Sequence, residues 1–583
     1  GLLTAGRLDG HGENWINDGR MEADHDLNIQ LSGTYQGNGS LIAQGHLGLN
    51  AADVDLASNA RLQAGGYGWL NVLGTFANQG KVAAVDWLEL SAKSLQNRGS
   101  LGAGGELLLV APDIRNEEGL IFSGEDMSVL SQRIENRRGD FYSLGNLLIT
   151  GDAQGAMAER LSNLSGSIEA AGNLGISALQ IENAREAFDI RKYKYSARLV
   201  HVGCTDCSGT NEDALFRLDE IERTEIINTS PQAQLLSGGA MVLHSDELDN
   251  RYSLIASGGD LQISTRHLNN QGAQTGDVHA SRVLKSHRVR AHRVGYQIND
   301  ANAFSARNWH GSTSYSPGNI NADLNNFFNR HIYSVYSTSE PVLKNIEYHH
   351  ATIQAAGNLQ IEANEQINNS LIRPSFSYVA GGNRDVNTSA PGSGIATIVP
   401  LNSQLPPDLK QQAAGVPSFT LPSGSNGLFS LSSNPAHSYL IETNPLLADM
   451  RQYLSSDYLL VQLGLSTDNM QKRLGDGLYE QRLLREAWTA RTGQRFIAGL
   501  TSDEAMFRYL MDNAIASKDA LSLSVGISLS AEQVAALTHD IVWMEEREVL
   551  GEKVLTPVLY LAHTEGRLAP SGALIQGGDL TLV

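Results

Sequence analysis

The sequence predicts a mainly β chain: a right-handed parallel β-helix, or β-solenoid, of about 20 residues per coil, interrupted by inserted hairpins and an inserted α-helical module. Three observations predict it. Asn recurs at 17, 38, 59, 78, 97, 116 and 136, at spacings of 21, 21, 19, 19, 19 and 20, and again at 163 and 183. Inside each period apolar residues alternate with polar ones, as in Leu88/Leu90 and Leu107/Leu109, which is the period-2 signature of a strand. Gly is abundant (58) and Pro scarce (15), which suits a chain that turns often yet keeps its N–H groups for ladder hydrogen bonds.

Residues 1–184 hold the first run of coils. Leu88, Leu90, Leu107 and Leu109 should point inward from one strand, and Leu101, Ala103, Ser167, Ile168 and Ala170 belong to a second. One coil cannot bury its own apolar face, but stacked coils share a core. Corners such as Asn78-Gln79-Gly80 and Asn97-Arg98-Gly99 are expected to use Gly or Asn at positive φ, with the Asn side chains bonded along the axis as a ladder. The Leu-x-x-Leu-x-Leu-x-x-Asn string of leucine-rich repeats is absent. The coil pattern returns at 235–275, with Leu261-Gln-Ile263, at 350–372, with Leu359-Gln-Ile361, and at 571–583.

Three insertions therefore divide one solenoid. Residues 185–234 read as a hairpin, from Tyr193, Tyr195, Leu199 and Val202, with Cys204 and Cys207 near its tip. Residues 276–349 form an aromatic and basic insertion. Residues 373–435 are a Pro/Ser/Gly-rich extended segment, since 374–435 hold 8 of the 15 prolines. Residues 436–547 read as an α-helical module with helices near 445–464, 467–491, 502–517 and 530–547, introduced by Asn444-Pro445 and by capping boxes at Thr501/Glu504 and Ser530/Gln533. A β-hairpin and return, turning at Gly551-Glu552, fill 548–570.

The net charge of −20 should repel nucleic acid and anionic lipid as a whole, so no nucleic-acid partner is expected. No window approaches the apolar length of a membrane-spanning helix. The chain opens at Gly1-Leu-Leu-Thr in what reads as mid-repeat, so Gly1 is taken as a boundary within a longer protein.

The repeats resemble those of filamentous-haemagglutinin-like exoproteins of two-partner secretion. The segments Gly427-Leu-Phe429, Tyr439-Leu-Ile-Glu-Thr-Asn-Pro445, Leu454-Ser-Ser-Asp-Tyr-Leu459, Arg473-Leu-Gly-Asp-Gly-Leu-Tyr-Glu-Gln-Arg482, Ser502-Asp-Glu504 and Leu537-Thr-His-Asp-Ile-Val-Trp543 resemble contact-dependent growth inhibition (CdiA-type) exoproteins, over nearly the whole chain. The resemblance implies a secreted protein on the surface of a Gram-negative bacterium, exported by an outer-membrane two-partner-secretion transporter. It implies that the rod displays a region binding an outer-membrane protein or lipopolysaccharide of a neighbouring cell, in support of toxin delivery. A monomer without cofactor or metal is expected. The helical module and its Pro-rich approach are expected to form the distal end.

The candidate receptor-binding residues are Arg282, Arg288, Arg290 and Arg293, from the one dense basic run of an acidic chain, together with Trp309, Tyr315, Tyr333, Tyr336, Tyr439, Tyr458 and Tyr479. The basic run could equally be a strand with one wet face, and the aromatic cluster of 309–336 the core of a small inserted domain. Cys204 and Cys207 read as a structural disulfide, because a zinc site lacks its second ligand pair. Arg138-Gly139-Asp140 spells a tripeptide that integrins read, but its place two residues after Asn136 explains the Gly as a corner. His539-Asp540 and Glu545-Glu546 read as solvated charges on a helix. No nucleophile elbow, zinc-protease motif or phosphate loop is present. Display and binding, without catalysis, is the reading these residues favour. A general adhesin is the alternative, and a β-helix polysaccharide-degrading enzyme ranks lower, for want of an Asp cluster on one solenoid face.

Overall fold

The computed structural model describes the 583 residues except 379–420, 423–425, 433, 435, 467–470, 498 and 563–571. The coils stack into a right-handed parallel β-helix with three faces. The first face is a sheet of 13 parallel strands, from Leu2–Ala5, Arg20–Ala23 and Ser40–Ala43 to Ala351–Ala355 and Ala573–Gln576. The second face starts with Leu8–Gly12, Leu27–Leu31 and Leu47–Ala51, and the third with Trp15–Ile16, Thr34–Gly37 and Asp53–Leu56, all paired in parallel. With coils about 4.8 Å apart, 13 of them make a rod roughly 60 Å long.

Strict register stacks like on like. Leu47, Gly68, Leu88, Leu107, Met127 and Leu147 form one column of the second face, and Leu49, Leu70, Leu90, Leu109, Val129 and Ile149 the next. Nearly all are fully buried in one continuous core. Gly68 is small because the Leu88 side chain reaches over it: a Cβ there would lie 2.6 Å from Leu88 Cδ1.

The Asn ladder occupies the corner between the third and first faces. Asn78, Asn97, Asn116, Asn136, Asn163, Asn183, Asn250, Asn270 and Asn369 pass eight Nδ2–H···Oδ1 bonds of 2.7–2.9 Å along the axis. The same amides donate to carbonyls of their own corner, as Asn116 does to Gly119 O (3.0 Å) and Asn136 to Gly139 O (2.9 Å). These buried amides are therefore satisfied in both directions.

Two expectations about the corner need correction. Asn38 and Asn59 lie outside the ladder, exposed in the turns. Register puts Gly37 and Leu56 at the ladder position of those coils, and Asn17 at the end bonds Tyr35 Oη instead (3.0 Å). Gly80, Gly99, Gly119, Gly139 and Gly166 do not supply the positive φ either. In the longer corners a non-glycine residue does: Glu118 (+55°), Arg138 (+52°), Ser165 (+52°) and Tyr252 (+50°). Glycine is required for closeness. A Cβ on Gly119, Gly139 or Gly166 would fall 2.4–2.6 Å from the Nδ2 of the preceding ladder Asn.

All three insertions leave the rod at this corner, after Ala184, Gln271 and Ile372, and each returns to the next strand of the first face. The first two combine. The hairpin Phe188–Gly203/Leu215–Thr229 pairs antiparallel with the outer half of Leu261–Ser286, which pairs with Ile332–Thr338 and Val342–His349. Helices Ala291–Asn308 and Ile320–His331 pack on this sheet through Phe304, Leu324, Phe327 and Phe328 against Leu199, Phe216, Leu218 and Leu284. Residues 185–234 and 276–349 thus make one side domain. The basic run is strand as far as Ser286 and again at Val289–Arg290, which pairs antiparallel with Asn211–Glu212, and the helix takes over at Ala291.

The third insertion is a mixed α/β module, not an all-helical one. The Pro-rich stretch lies mostly outside the described residues. Asp457–Gln462 and Pro445–Ala448 replace one helix over 445–464. The helix expected over 467–491 is Gly477–Thr492, capped by Asp476, because Arg473–Gly475 is a strand between Tyr439–Thr443 and Glu552–Tyr560. Asp503–Ser517 is capped by Ser502, not Thr501. The Ser530 capping box is real, but its helix stops at Ala535. Ile541–Val549 is a strand paired with Glu552–Tyr560, since Ile541, Val542, Trp543 and Met544 are all buried, which a one-sided helix stripe would not achieve.

The module lies along the flank of the rod, which corrects the expected distal placement. Its footprint is visible in the first face. Arg61–Ala64 and Lys81–Ala84 alternate between covered and open positions, whereas from Ser100–Ala103 to Ala351–Ala355 the outward positions are covered too. Leu120, Phe122 and Tyr142 pack on Leu428, Leu447 and Leu478, and Leu236, Leu254 and Ala256 on Phe496. Polar contacts run the same length. Asn426 Nδ2 donates to Ser58 O and Gln79 O, Arg482 pairs with Asp140 (2.8 Å), Arg485 with Glu169 (3.4 Å) and Gln234 (2.8 Å), and Thr352 Oγ1 donates to Gly493 O (2.9 Å). Burial opposes ionisation of Asp503, but Arg495 and Arg485 outweigh it and hold its carboxyl below the usual range.

Two measurements test these contacts. Asn116→Ala removes two donors and leaves Oδ1 of the buried Asn136 without its ladder donor, so it should lower stability by about 1–3 kcal/mol, while Asn38→Ala should be silent; urea midpoints of the two variants compare them. At the seam, His350 is buried against Gly493 with no partner on Nδ1, and burial pushes its pKa down to about 4. A pKa depressed from 6.5 contributes stability that is complete above pH 6.5 and is lost as pH falls toward 4, here about 3 kcal/mol. Urea unfolding at pH 7 and pH 4.5 should show that loss, and His350→Gln should shrink it.

Candidate functional site

The side domain reaches outward from the rod. Its hairpin strands span Phe188–Gly203 and Leu215–Thr229, and 15 residues of strand extend roughly 50 Å. At the tip Cys204 and Cys207 form a disulfide. The loop beside it is tied by carboxylates. Asp213 accepts from Thr205 N (2.7 Å), its pKa held at about 2 as hydrogen bonds from Thr205 and Lys285 overcome burial, and Asp206 pairs with Arg288 (2.6 Å). His201 stands on the strand near Phe216 without a metal-binding group around it. Among the described residues no set of three or more His, Cys, Asp or Glu is placed to hold a metal.

The structure sorts the candidate residues. Arg288, Arg290 and Arg293 are exposed, and Arg290 and Arg293 make no ion pair among the described residues. Tyr333 and Tyr336, on the Ile332–Thr338 strand at the sheet edge, are 46% and 59% exposed, and the Tyr333 ring meets His287 edge-on (5.6 Å). Tyr296, 69% exposed, went unnoticed in the sequence because its helix was not recognised. It lies three residues from Arg293, on the same helix face. The exposed basic and aromatic side chains thus share the outer helix, its entry and the edge strand.

The other candidates are held in structural roles. Arg282 is buried beside Glu220 (3.6 Å), its guanidinium 5.0 Å from the Phe328 ring and 4.7 Å from Tyr378. Trp309 carries Arg198 over its ring at 4.3 Å. Tyr315 donates to Tyr195 O (2.6 Å), and Ser305 bonds both N–H and C=O of Leu199, so together they close the outer edge of the hairpin. In the module, Tyr439 donates to Asp457 (2.6 Å) under Arg473, Tyr458 donates to Asp512 (2.7 Å), and Tyr479 is buried edge-on to Phe429. The aromatic cluster of 309–336 divides: Phe327 and Phe328 are core, Tyr333 and Tyr336 surface.

Three further motifs take their structural places. Asp140 of the Arg138-Gly139-Asp140 corner is committed to Arg482, and Arg138 to Glu118 and Glu186. Asp540 accepts from Ala562 N, and Glu545 is buried and accepts from Ser528 Oγ (2.7 Å), so neither is a solvated helix charge. Among the described residues no helix is long and apolar enough to cross a membrane.

Comparison with known proteins agrees with the repeat architecture. The family described as Haemagglutinin repeat matches residues 12–84, 59–117, 114–192, 227–287 and 344–390. The chain is 27% identical over 585 residues to the Toxin CdiA of Escherichia coli, covering 89% of this chain and 18% of that protein. It is 27% identical over 655 residues to the tRNA nuclease CdiA of Yersinia mollaretii, covering 97% and 21%, and 43% identical over 163 residues to the tRNA nuclease CdiA-2 of Burkholderia pseudomallei, covering 28% and 5%. The chain spans about a fifth of the length of the first two relatives. No solved structure matches it significantly.

Proposed function

The chain belongs to the CdiA-type, filamentous-haemagglutinin-like exoproteins, secreted to the surface of Gram-negative bacteria, and from that premise we propose that it is the display segment of such a protein, whose side domain binds an outer-membrane molecule of a neighbouring cell. One observation carries the assignment to the side domain. In a chain of net charge −20, the exposed arginines Arg290 and Arg293, free of ion pairs among the described residues, stand with Tyr296, Tyr333 and Tyr336 on the side domain. Arg and Tyr are favoured anchors of binding surfaces. The candidate tyrosines of the module are tied to its own carboxylates or buried.

Delivery of a toxin belongs to the whole protein. The relatives that match 89–97% of this chain carry the names Toxin CdiA and tRNA nuclease CdiA, and the match takes up only 18–21% of each. The rod and receptor-binding role proposed for this segment assigns it no catalytic step of its own. Export by an outer-membrane two-partner-secretion transporter is part of the same reading.

Binding of the labelled chain to intact Gram-negative cells tests it. The double variant Arg290→Glu/Arg293→Glu should weaken binding about ten-fold or more, and Tyr458→Ala should leave it unchanged. The reverse pattern would place the receptor surface on the module, and binding indifferent to both would remove the side domain from the reading.

A further inference from the structure

We propose that the second face of the rod carries, across its third to fifth coils, a binding platform for a neutral polysaccharide. The module covers the first face and the insertions crowd the corner beside the third. The second face keeps most of its outward positions exposed or half-buried, with Gly48 of the third coil covered. Register makes the platform a grid of three by three outward residues: His46, Gly48 and Asn50; Tyr67, Trp69 and Asn71; Trp87, Glu89 and Ser91.

The grid is aromatic on one side and hydrogen-bonding on the other. His46 lies parallel to Tyr67 (4.9 Å between centroids, 16°), fixed by the Tyr67 N–H donating to its Nδ1 (3.2 Å), and Trp87 meets Tyr67 edge-on (6.1 Å). Tyr67 and Trp69 are 50% and 48% exposed. Two of the chain's six Trp residues thus sit on one small outer surface. Elsewhere on this face the position of Trp69 is filled by Asn28, Leu108, Ser128, Leu148, Gly175, Val242 or Gln262, so the fold itself does not require a ring there. Asn71 donates to Asn50 Oδ1 (3.2 Å), which orients both amides, and Ser91 and Glu89 complete the polar side.

The chemistry selects a sugar. A pyranose ring presents a face of C–H bonds, attracted to the electron-rich face of an aromatic ring, and a rim of hydroxyls that amides, hydroxyls and a carboxylate can bond. No Lys or Arg lies in the grid, and Glu89 adds negative charge, which disfavours phosphate or sulfate ligands. Coils about 4.8 Å apart place one ring of the His46, Tyr67 and Trp87 column beside each successive unit of a chain lying along the axis. The site is separate from the side domain and independent of the receptor assignment.

Native gel electrophoresis through soluble neutral polysaccharides (a glucan, a galactomannan and hydroxyethyl cellulose), with heparin as the anionic control, tests the proposal. At least one neutral polymer should retard the chain. Trp69→Ala and Trp87→Ala should each weaken that retardation about ten-fold, while Trp309→Ala and Arg290→Glu/Arg293→Glu should not. Unchanged urea midpoints establish that the variants fold. No retardation by any neutral polymer, retardation by heparin alone, or retardation that survives Trp69→Ala overturns the proposal.

Discussion

The rod depends on keeping its coils in register across interruptions, and the Asn ladder is the interaction that does so. Its bonds are directional and its members are buried, so a coil shifted by one residue would leave several amides without partners, at about 1–3 kcal/mol each. Asn183 bonds Asn250 at a sequence separation of 67 and Asn270 bonds Asn369 at a separation of 99, at the same 2.8–2.9 Å as neighbours one coil apart. Apolar stacking alone would tolerate a slip more readily, since Leu, Ile and Val replace one another in the columns. The corner can therefore release a whole domain and take the chain back in phase.

The rod was legible in the sequence because its information is local and repeated: a marker Asn, a Gly two or three residues on, and alternation between them. Details with a non-local cause were not. The positive φ of Glu118, Arg138, Ser165 and Tyr252 follows from corner length, and the corner glycines answer to the amide of the previous coil, which no single repeat reveals. The side domain joins segments far apart in the chain, so its sheet could not be seen in either alone. The aromatic surface was recognised only in part, because Tyr296 needed its helix and Phe327 needed its partner Phe216. One available signal was overlooked: the strands Leu120–Ser123, Asp140–Ser143 and Leu254–Ser257 carry large apolar residues at positions that should face water, which announces that something covers them.

Charge is spent differently on the two inserted bodies. In the module, Arg482, Arg485 and Arg495 are buried against Asp140, Glu169 and Asp503, where losing one partner would strand a charge at a cost of about 3–5 kcal/mol. The pairs of Arg482 and Arg485 with Asp140 and Glu169 cross the seam and fix where the module sits, while Arg495 and Asp503 both belong to the module. In the side domain Arg290 and Arg293 remain in water, where a pair would contribute little to stability and an unpaired cation stays available.

The seam between module and rod also has a direction in time. Its docking surface is written in residues 58–355 and the module that covers it in 426–560, while the closing strand Ala573–Gln576 pairs back on Ala351–Ala355. A chain that emerges from its N-terminus lays the anvil before the hammer arrives. The module is then a latch that can close only on finished coils, and once closed it staples early coils to late ones, so the rod cannot unravel from the middle without first lifting it.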